Sequence, residues 1–419
     1  MKEKFSNRVA LFIKNNFIIF FSFYFVAMFL ETTTIDINFE NLGIITSIIK
    51  YVAYFMFFCR LILILPDYKE KIEEFSKNNN KYYLIIAVVI LVFFLSLIFT
   101  FAHTGNKKYI MIFLVLISSY GTDFLKITKR LEKMQIICTT ILVFFSIIGL
   151  VENYVIYRED GVARNSLGFG YVSNLSQMVM YSIILHLFNL KFYEKRINLL
   201  YLQLVNIFIY FITNSKTEFI FVELVLFCTY IYNVEHLKKY CVTYGKKILS
   251  LFCKTFWVLP IISLLLVVTY TYNPVSKFTD KVLSNRIKYP YLVMREYGFS
   301  IFGENIELIG NGIKDRQKYP NRQSNYIDNE YLQCLFTNGV FFFTSEILLL
   351  NIYLCLLKRE KKYKSLFTSM VFLTFALLNP RLKDLIYCPV LFMIIPTLID
   401  YKESKQIIDE KVDNEKLHI

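Results

Sequence analysis

Residues 82–101 read YYLIIAVVILVFFLSLIFTF. The stretch carries no charge, and its only small polar side chains are Ser96 and Thr100. About 17–25 such residues, wound as a helix, cross the ~30 Å hydrocarbon core of a bilayer. Working outward, comparable runs recur at about 11–30, 44–65, 109–125, 135–156, 173–190, 198–213, 218–234, 248–271, 333–357, 365–379 and 385–400. With 82–101 they predict about 12 transmembrane helices in an all-α polytopic integral membrane protein. Composition agrees: 56% of the 419 residues are hydrophobic, 18% are aromatic, and mean hydropathy is +0.46. A transmembrane β-barrel would show short alternating segments instead.

Charge sets the orientation. Net charge is +14, which in a soluble protein would suggest nucleic acid. Here the cations gather in alternate connections: 67–81, 126–134, 191–196, 235–247 and 358–364, together with both termini. With twelve spans all of these fall on one side, which the positive-inside rule makes cytoplasmic, in the cell membrane. The start, MKEKFSNRVALFIKNNFIIFF, lacks a small-residue cleavage site and reads as a retained helix. His103, His186, His236 and His418 are isolated, and the eight cysteines form no CxxC pair. No metal, cofactor or disulfide framework is expected.

One connection is long. Residues 272–331 join the ninth and tenth runs on the outward side, and a loop of that length is usually functional or disordered. Its sequence is not low-complexity: FTDKVLSNRIKYPYLVMREYG (278–298) has helix-compatible spacing, and FGENIELIGNG (302–312) follows. A folded outer subdomain with one or two helices is expected. The chain then divides into nine spans (1–271), this subdomain (272–331), three spans (332–400) and a cytoplasmic tail (401–419).

The outward helix starts carry the chemistry. A helix N-terminus offers free N–H groups and a positive dipole end, which suit an anion. Cations stand at three of them: Arg164 in RNSLGFGYVSN (164–174), Lys216 in TNSKTEFIF (213–221), and Arg381 with Lys383 before the last run. Gly168 and Gly170 permit a tight backbone path, with Ser173 or Asn174 as a cap. A Gly-rich turn with a solvated arginine is the competing reading. Ser215-Lys216-Thr217-Glu218 fits a capping box; the bland alternative puts Lys216 among lipid headgroups. Arg286 and Arg295 are nine apart on the expected outer helix, roughly on one face. Asp328 reads as a helix N-cap, and also as a carboxylate placed to act as a general base. Glu223 and Glu346 lie inside apolar runs, where a charge costs about 2.5–3.5 kcal/mol and needs a partner or a proton. A structural hydrogen bond or ion pair is the leading reading for Glu346.

In order and context these motifs resemble the Wzy-type repeat-unit polymerases of capsule and O-antigen pathways. Arg164 with LGFGYVSN resembles their Arg-x-x-Leu-Gly-Phe segment, and TNSKTEFI resembles a Ser-Arg-Thr/Ala turn. LSNRIKY (283–289) with IFGENIELIGNG (301–312) resembles the Gly-x-Arg helix and Gly-x-Gly stretch. YIDNEYLQCLFTNGVFFF (326–343) resembles the Asp-Asn-x-Tyr-Leu lead into the next span. The chain departs from the pattern at Val172-Ser173-Asn174 (often His-Pro-Asn), Lys216 (usually Arg) and Ser284-Asn285 (commonly Gly). The resemblance covers roughly 164–343 and implies a glycosyltransferase C-like membrane fold. It also implies a metal-independent transfer of the growing polysaccharide from undecaprenyl diphosphate to a hydroxyl of the next lipid-linked oligosaccharide. Under it, Arg164, Arg286 and Lys216 hold the diphosphate and Asp328 takes the proton. Arg295, Arg381, Asn174 and Gly168 complete the binding surface, and Gly310, Gly312 and Asn329 shape the acceptor side. Membrane lipid, a chain-length regulator protein and a flippase are the implied partners, and nucleic acid is not. A lipid-linked oligosaccharide flippase, an O-antigen-ligase-like transferase and a non-enzymatic scaffold are the rival readings.

Overall fold

The first apolar run is interrupted. In the computed structural model, which describes residues 2–77, 81–158, 161–190 and 196–399, α1 (Lys2–Asn15) and α2 (Phe17–Leu30) meet at Asn16 with a 61° bend. The short α3 (Ile35–Asn38) precedes α4 (Glu40–Lys77), α5 (Lys81–Thr104) and α6 (Lys108–Ser118). Arg60 of α4, 3% exposed, serves the break. Its Nε donates to the Lys14 carbonyl at 2.9 Å, and its Nη2 donates to the Tyr120 carbonyl at 3.1 Å. It thus satisfies a last-turn carbonyl of α1 and a carbonyl of the turn that follows α6.

α7 (Phe124–Ile147) begins earlier than the expected 135–156 span. Asp123 caps it, accepting from the Leu125 N–H at 3.0 Å. Residues 126–134, expected as a basic loop, are helical because Ile127, Leu131 and Met134 bury one face at helical spacing. A two-stranded hairpin, β1 (Val155–Tyr157) and β2 (Ala163–Asn165), leads into α8 (Val172–Asn189), α9 (Arg196–Thr213) and α10 (Lys216–Asn233). Residues 235–247, also expected as a basic loop, open α11 (Glu235–Thr255), which turns 118° from α10. α12 (Val258–Val268) completes the ninth run as a separate piece.

Residues 272–331 hold three helices rather than one or two: α13 (Pro274–Val282), α14 (Lys288–Tyr297) and the short α15 (Ile313–Lys318). The helix expected over 278–298 is broken where Ser284 and Asn285 take positive φ (57° and 67°). Asp280 bridges the break, accepting from the Ile287 and Lys288 N–H groups at 2.8 and 2.9 Å. Val267, Ile287, Val293, Ile306, Ile327, Leu332 and Phe336 form a second, smaller apolar cluster beneath this region.

α16 (Glu330–Arg359) is the central element, packed against α5, α11, α12, α14, α17 (Tyr363–Phe375) and α18 (Val390–Ile399). Its most apolar window is 56% buried, against 28% for α5 and 22% for α4, so those two present apolar surface outward. Among the described residues three helices are long and apolar enough to cross a membrane, or up to five if each bent pair counts once. That is an all-α fold compatible with a membrane protein. α6, α9, α12 and α18 are apolar but short.

α16 breaks at Gly339 (φ 88°, ψ 168°). Residues 300–304 enter the gap: Val340 and Phe341 N–H groups donate to the Ser300 and Ile301 carbonyls at 3.0 Å, and Glu304 N–H donates to the Thr337 carbonyl at 3.1 Å. Buried backbone groups left open by such a break need partners, and these bonds supply them. Between α17 and α18, residues 376–389 are likewise irregular, and most of their side chains are buried.

Candidate functional site

RNSLGFGYVSN ties three segments together. The Tyr154 N–H donates to Ser166 Oγ at 2.9 Å and the Leu167 N–H to Asn153 Oδ1 at 2.9 Å. The chain then passes through Leu167 (φ 44°) and Gly168 (φ 88°). A Cβ on Gly168 would lie 3.0 Å from Leu142 in a conformation L side chains rarely adopt, so glycine is needed there. The Gly168 carbonyl accepts from the Thr34 N–H at 2.8 Å, and the Gly170 N–H donates to the Thr32 carbonyl at 2.8 Å. The Gly170 carbonyl accepts from the Ile313 N–H at 3.0 Å, which brings Gly312 against the start of α8.

Three guanidinium groups gather around the starts of α8, α10 and α16. Arg164 donates through Nε to the Thr213 carbonyl at 2.9 Å and through Nη2 to Ser215 Oγ at 3.0 Å. Arg286 donates through Nη1 to Thr217 Oγ1 at 3.3 Å and through Nε to Asp328 Oδ2 at 3.2 Å. Arg381 donates to Asn174 Oδ1 at 2.8 Å, Gln177 Oε1 at 3.2 Å and Asp384 Oδ2 at 2.6 Å. Gln177 closes the belt by donating to Glu218 Oε1 at 3.3 Å. A fork of donors on each arginine suits a phosphate better than an ammonium does.

The electrostatics follow from partial burial. Desolvation pulls Arg164 below its ordinary value, and Arg158 nearby adds to the effect. Burial raises the Asp328 carboxyl above the usual carboxylate range, while Arg286 and Arg381 pull it back. Asp328 keeps 40% of its side-chain surface accessible, so its desolvation is partial and it remains reachable. Burial also raises the Tyr171 and Tyr326 hydroxyls, and the Asp328 charge adds to both shifts.

The structure brings together Arg164, Arg286, Arg381, Asn174 and Asp328, with Gly168 and Gly312 shaping the backbone beside them. Several expected roles differ. Asp328 is not the cap of α16: Asn329 is, accepting from the Tyr331 and Leu332 N–H groups at 3.0 and 3.1 Å, which leaves Asp328 free to pair with Arg286. The capping box does not form: Ser215 makes no side-chain cap bond because it serves Arg164, and Glu218 faces Gln177. Neither Ser173 nor Asn174 caps α8. Tyr171 holds that position, Ser173 Oγ accepts from Gln177, and Asn174 is turned to Arg381. Lys216 is exposed, beyond the serine that holds Arg164. Arg295 is exposed in the last turn of α14, and the break at Ser284-Asn285 removes the helical face it was to share with Arg286. Gly310 donates its N–H to Asp315 Oδ2 at 2.7 Å, a turn contact.

Gln177, Ser215, Thr217, Glu218 and Asp384 complete the belt without having been assigned a role in it. Gln177 stands one helical turn after Asn174, a spacing that places both on one face. Deeper in the fold, Lys383 donates to Glu330 Oε1 at 2.7 Å and to Glu346 Oε1 at 3.1 Å, all three at most 5% exposed. Cys334 Sγ donates to Glu346 Oε2 at 3.1 Å. Glu346 therefore has the expected ion pair, with Lys383 as its partner. Glu223 accepts from Gln203 and Asn206, each at 2.9 Å. No protein-family model, curated protein or solved structure compared with the chain matches it.

Proposed function

We propose that the chain is a membrane glycosyltransferase that polymerises lipid-diphosphate-linked oligosaccharide repeat units. The observation that carries the reading is the convergence of Arg164, Arg286 and Arg381 with Asp328 at three helix starts. In such a transfer the bond from the sugar to the diphosphate breaks, and the acceptor hydroxyl forms the new bond and loses its proton. The leaving diphosphate gains negative charge in the transition state. Guanidinium groups and helix N-termini held in place for it stabilise that state more than the ground state. Asp328, accessible and less acidic than an ordinary aspartate, is the group assigned to take the proton. In this reading the chain crosses the cytoplasmic membrane about twelve times, both termini are cytoplasmic, and the arginine belt faces outward. Implied partners are the lipid-linked substrate and a chain-length regulator.

A second reading has its own support. α16 broken at Gly339 and the irregular residues 376–389 lie side by side, as discontinuous helices do in transporters. A lipid-linked oligosaccharide flippase would use the same arginines as a transit site.

Purified protein incubated with its lipid-diphosphate-linked repeat unit and a chelator separates the two. A ladder of repeat lengths, weakened about 10²–10³-fold in folded Arg164→Ala and Arg286→Ala variants, is expected. Absence of a ladder, with substrate moved across a vesicle membrane, means the flippase reading holds.

A further inference from the structure

α13 is amphipathic with its faces reversed. Ser276 and Asp280 point inward and are buried. Ser276 Oγ lies 3.0 Å from Thr269 Oγ1, and Asp280 Oδ2 accepts from Tyr270 Oη at 3.1 Å. Val275, Phe278 and Val282, spaced i, i+3 and i+7, share the opposite face and are 60%, 69% and 63% exposed. Lys277 and Lys281 are exposed on the flank between the two faces. A helix in contact with water would place these groups the other way round.

The exposed face continues an apolar surface already present. α12 ends six residues earlier, and its Ile262, Leu265 and Val268 are 47%, 55% and 40% exposed. Tyr272, 71% exposed, lies between the two helices. If the apolar exterior of α12 faces lipid, that surface runs through Tyr272 onto Val275, Phe278 and Val282. Asn273 caps α13, accepting from the Val275 N–H at 2.9 Å, and Pro274 occupies its first turn, so α13 starts as a new helix.

We infer that α13 lies in the membrane–water interface, its Val275–Phe278–Val282 face among acyl chains and Lys277 and Lys281 beside anionic lipid headgroups. A basic flank along an apolar face is the arrangement by which a surface helix holds an anionic leaflet. The outer region is thereby held down on the bilayer beside the arginine belt. This inference rests on the membrane fold and not on the proposed reaction.

The test uses the full chain in nanodiscs containing phosphatidylglycerol. The single tryptophan is removed by Trp257→Phe, and Phe278→Trp supplies the probe, with Val275→Trp as a second probe on the same face. Quenching by lipid brominated near the headgroup, with protection from aqueous iodide, is expected. Replacing phosphatidylglycerol by phosphatidylcholine, or introducing Lys277→Glu with Lys281→Glu, should reduce the lipid quenching. Quenching by iodide but not by lipid puts the face in water, and protection from both means protein covers it. Either result overturns the inference.

Discussion

At the residue scale, Arg286 and Asp328 define one unit, and its pH dependence has a definite sign. Burial raises the Asp328 carboxyl and Arg286 opposes the rise. In the proposed reaction a general base acts ionised, so transfer should increase as pH rises through the raised value of Asp328. Arg286→Gln removes the opposing charge, so the acid limb of the residual activity should move to higher pH. A limb that stays in place, or moves down, removes Asp328 from that role. The same raised value favours the folded state at low pH, since stability from it is lost as pH rises through the folded value. Asp328→Asn should therefore flatten the dependence of unfolding on pH over that range and slow transfer about 10²–10⁴-fold. Arg381→Ala should abolish transfer, whereas Lys216→Ala and Arg295→Ala, both outside the belt, should leave it within about twofold. Lys383 belongs to stability instead. Lys383→Met strands Glu330 and Glu346 and should cost about 3–5 kcal/mol. Replacing all three by apolar residues should recover most of that in the same detergent melt. Arg164, Arg381 and Asp328 stood out in the sequence as charges beside expected helix starts, whereas Arg286 stood out on the expected outer helix and through the resemblance of LSNRIKY. Gln177 did not, because nothing local marks a side chain whose partner Arg381 lies 204 residues away, and Asp384, three residues from Arg381, belongs to the belt only through it.

At the element scale, the apolar runs were legible as helices but their ends were not. Asp123 and the buried Ile127–Leu131–Met134 stripe carry α7 through residues that charge alone assigns to a loop. Positive charge marks a side of the membrane and says nothing about where a helix stops. Asn379-Pro380 and Cys388-Pro389 flank the irregular stretch before α18, and proline disfavours helix in the residue before it, so that signal was present. Gly339 was visible only as a glycine in an apolar run, since the segment that opens α16 there comes from residues 300–304. A Cβ on Gly339 would lie 2.3 Å from the Gly303 nitrogen and 2.5 Å from the Ile301 oxygen. Gly339→Ala and Gly303→Ala should each lower the melting temperature of the purified protein by several degrees, from a loss of about 2 kcal/mol or more. Gly245→Ala, inside α11 where no atom lies within 4 Å, should instead raise it slightly, from a gain of about 0.5–1 kcal/mol.

At the scale of the whole molecule, the charge rule yields an orientation that a label can check. A Gln323→Cys variant, exposed in the outer region, is placed in a cysteine-free background. It should react with a membrane-impermeant maleimide in intact cells. Labelling only after permeabilisation would reverse the topology and put the arginine belt on the cytoplasmic side. The joint at Gly339 also bears on how the chain is assembled. Residues 300–304 leave the ribosome before α16 does, yet the place they fill exists only once α16 has arrived. Residues 300–304 must therefore wait, and α16 must form without the segment that completes it. Folding of residues 300–304 and arrival of α16 are thus steps of one order of events, and a fragment ending before residue 339 would lack the site that receives them.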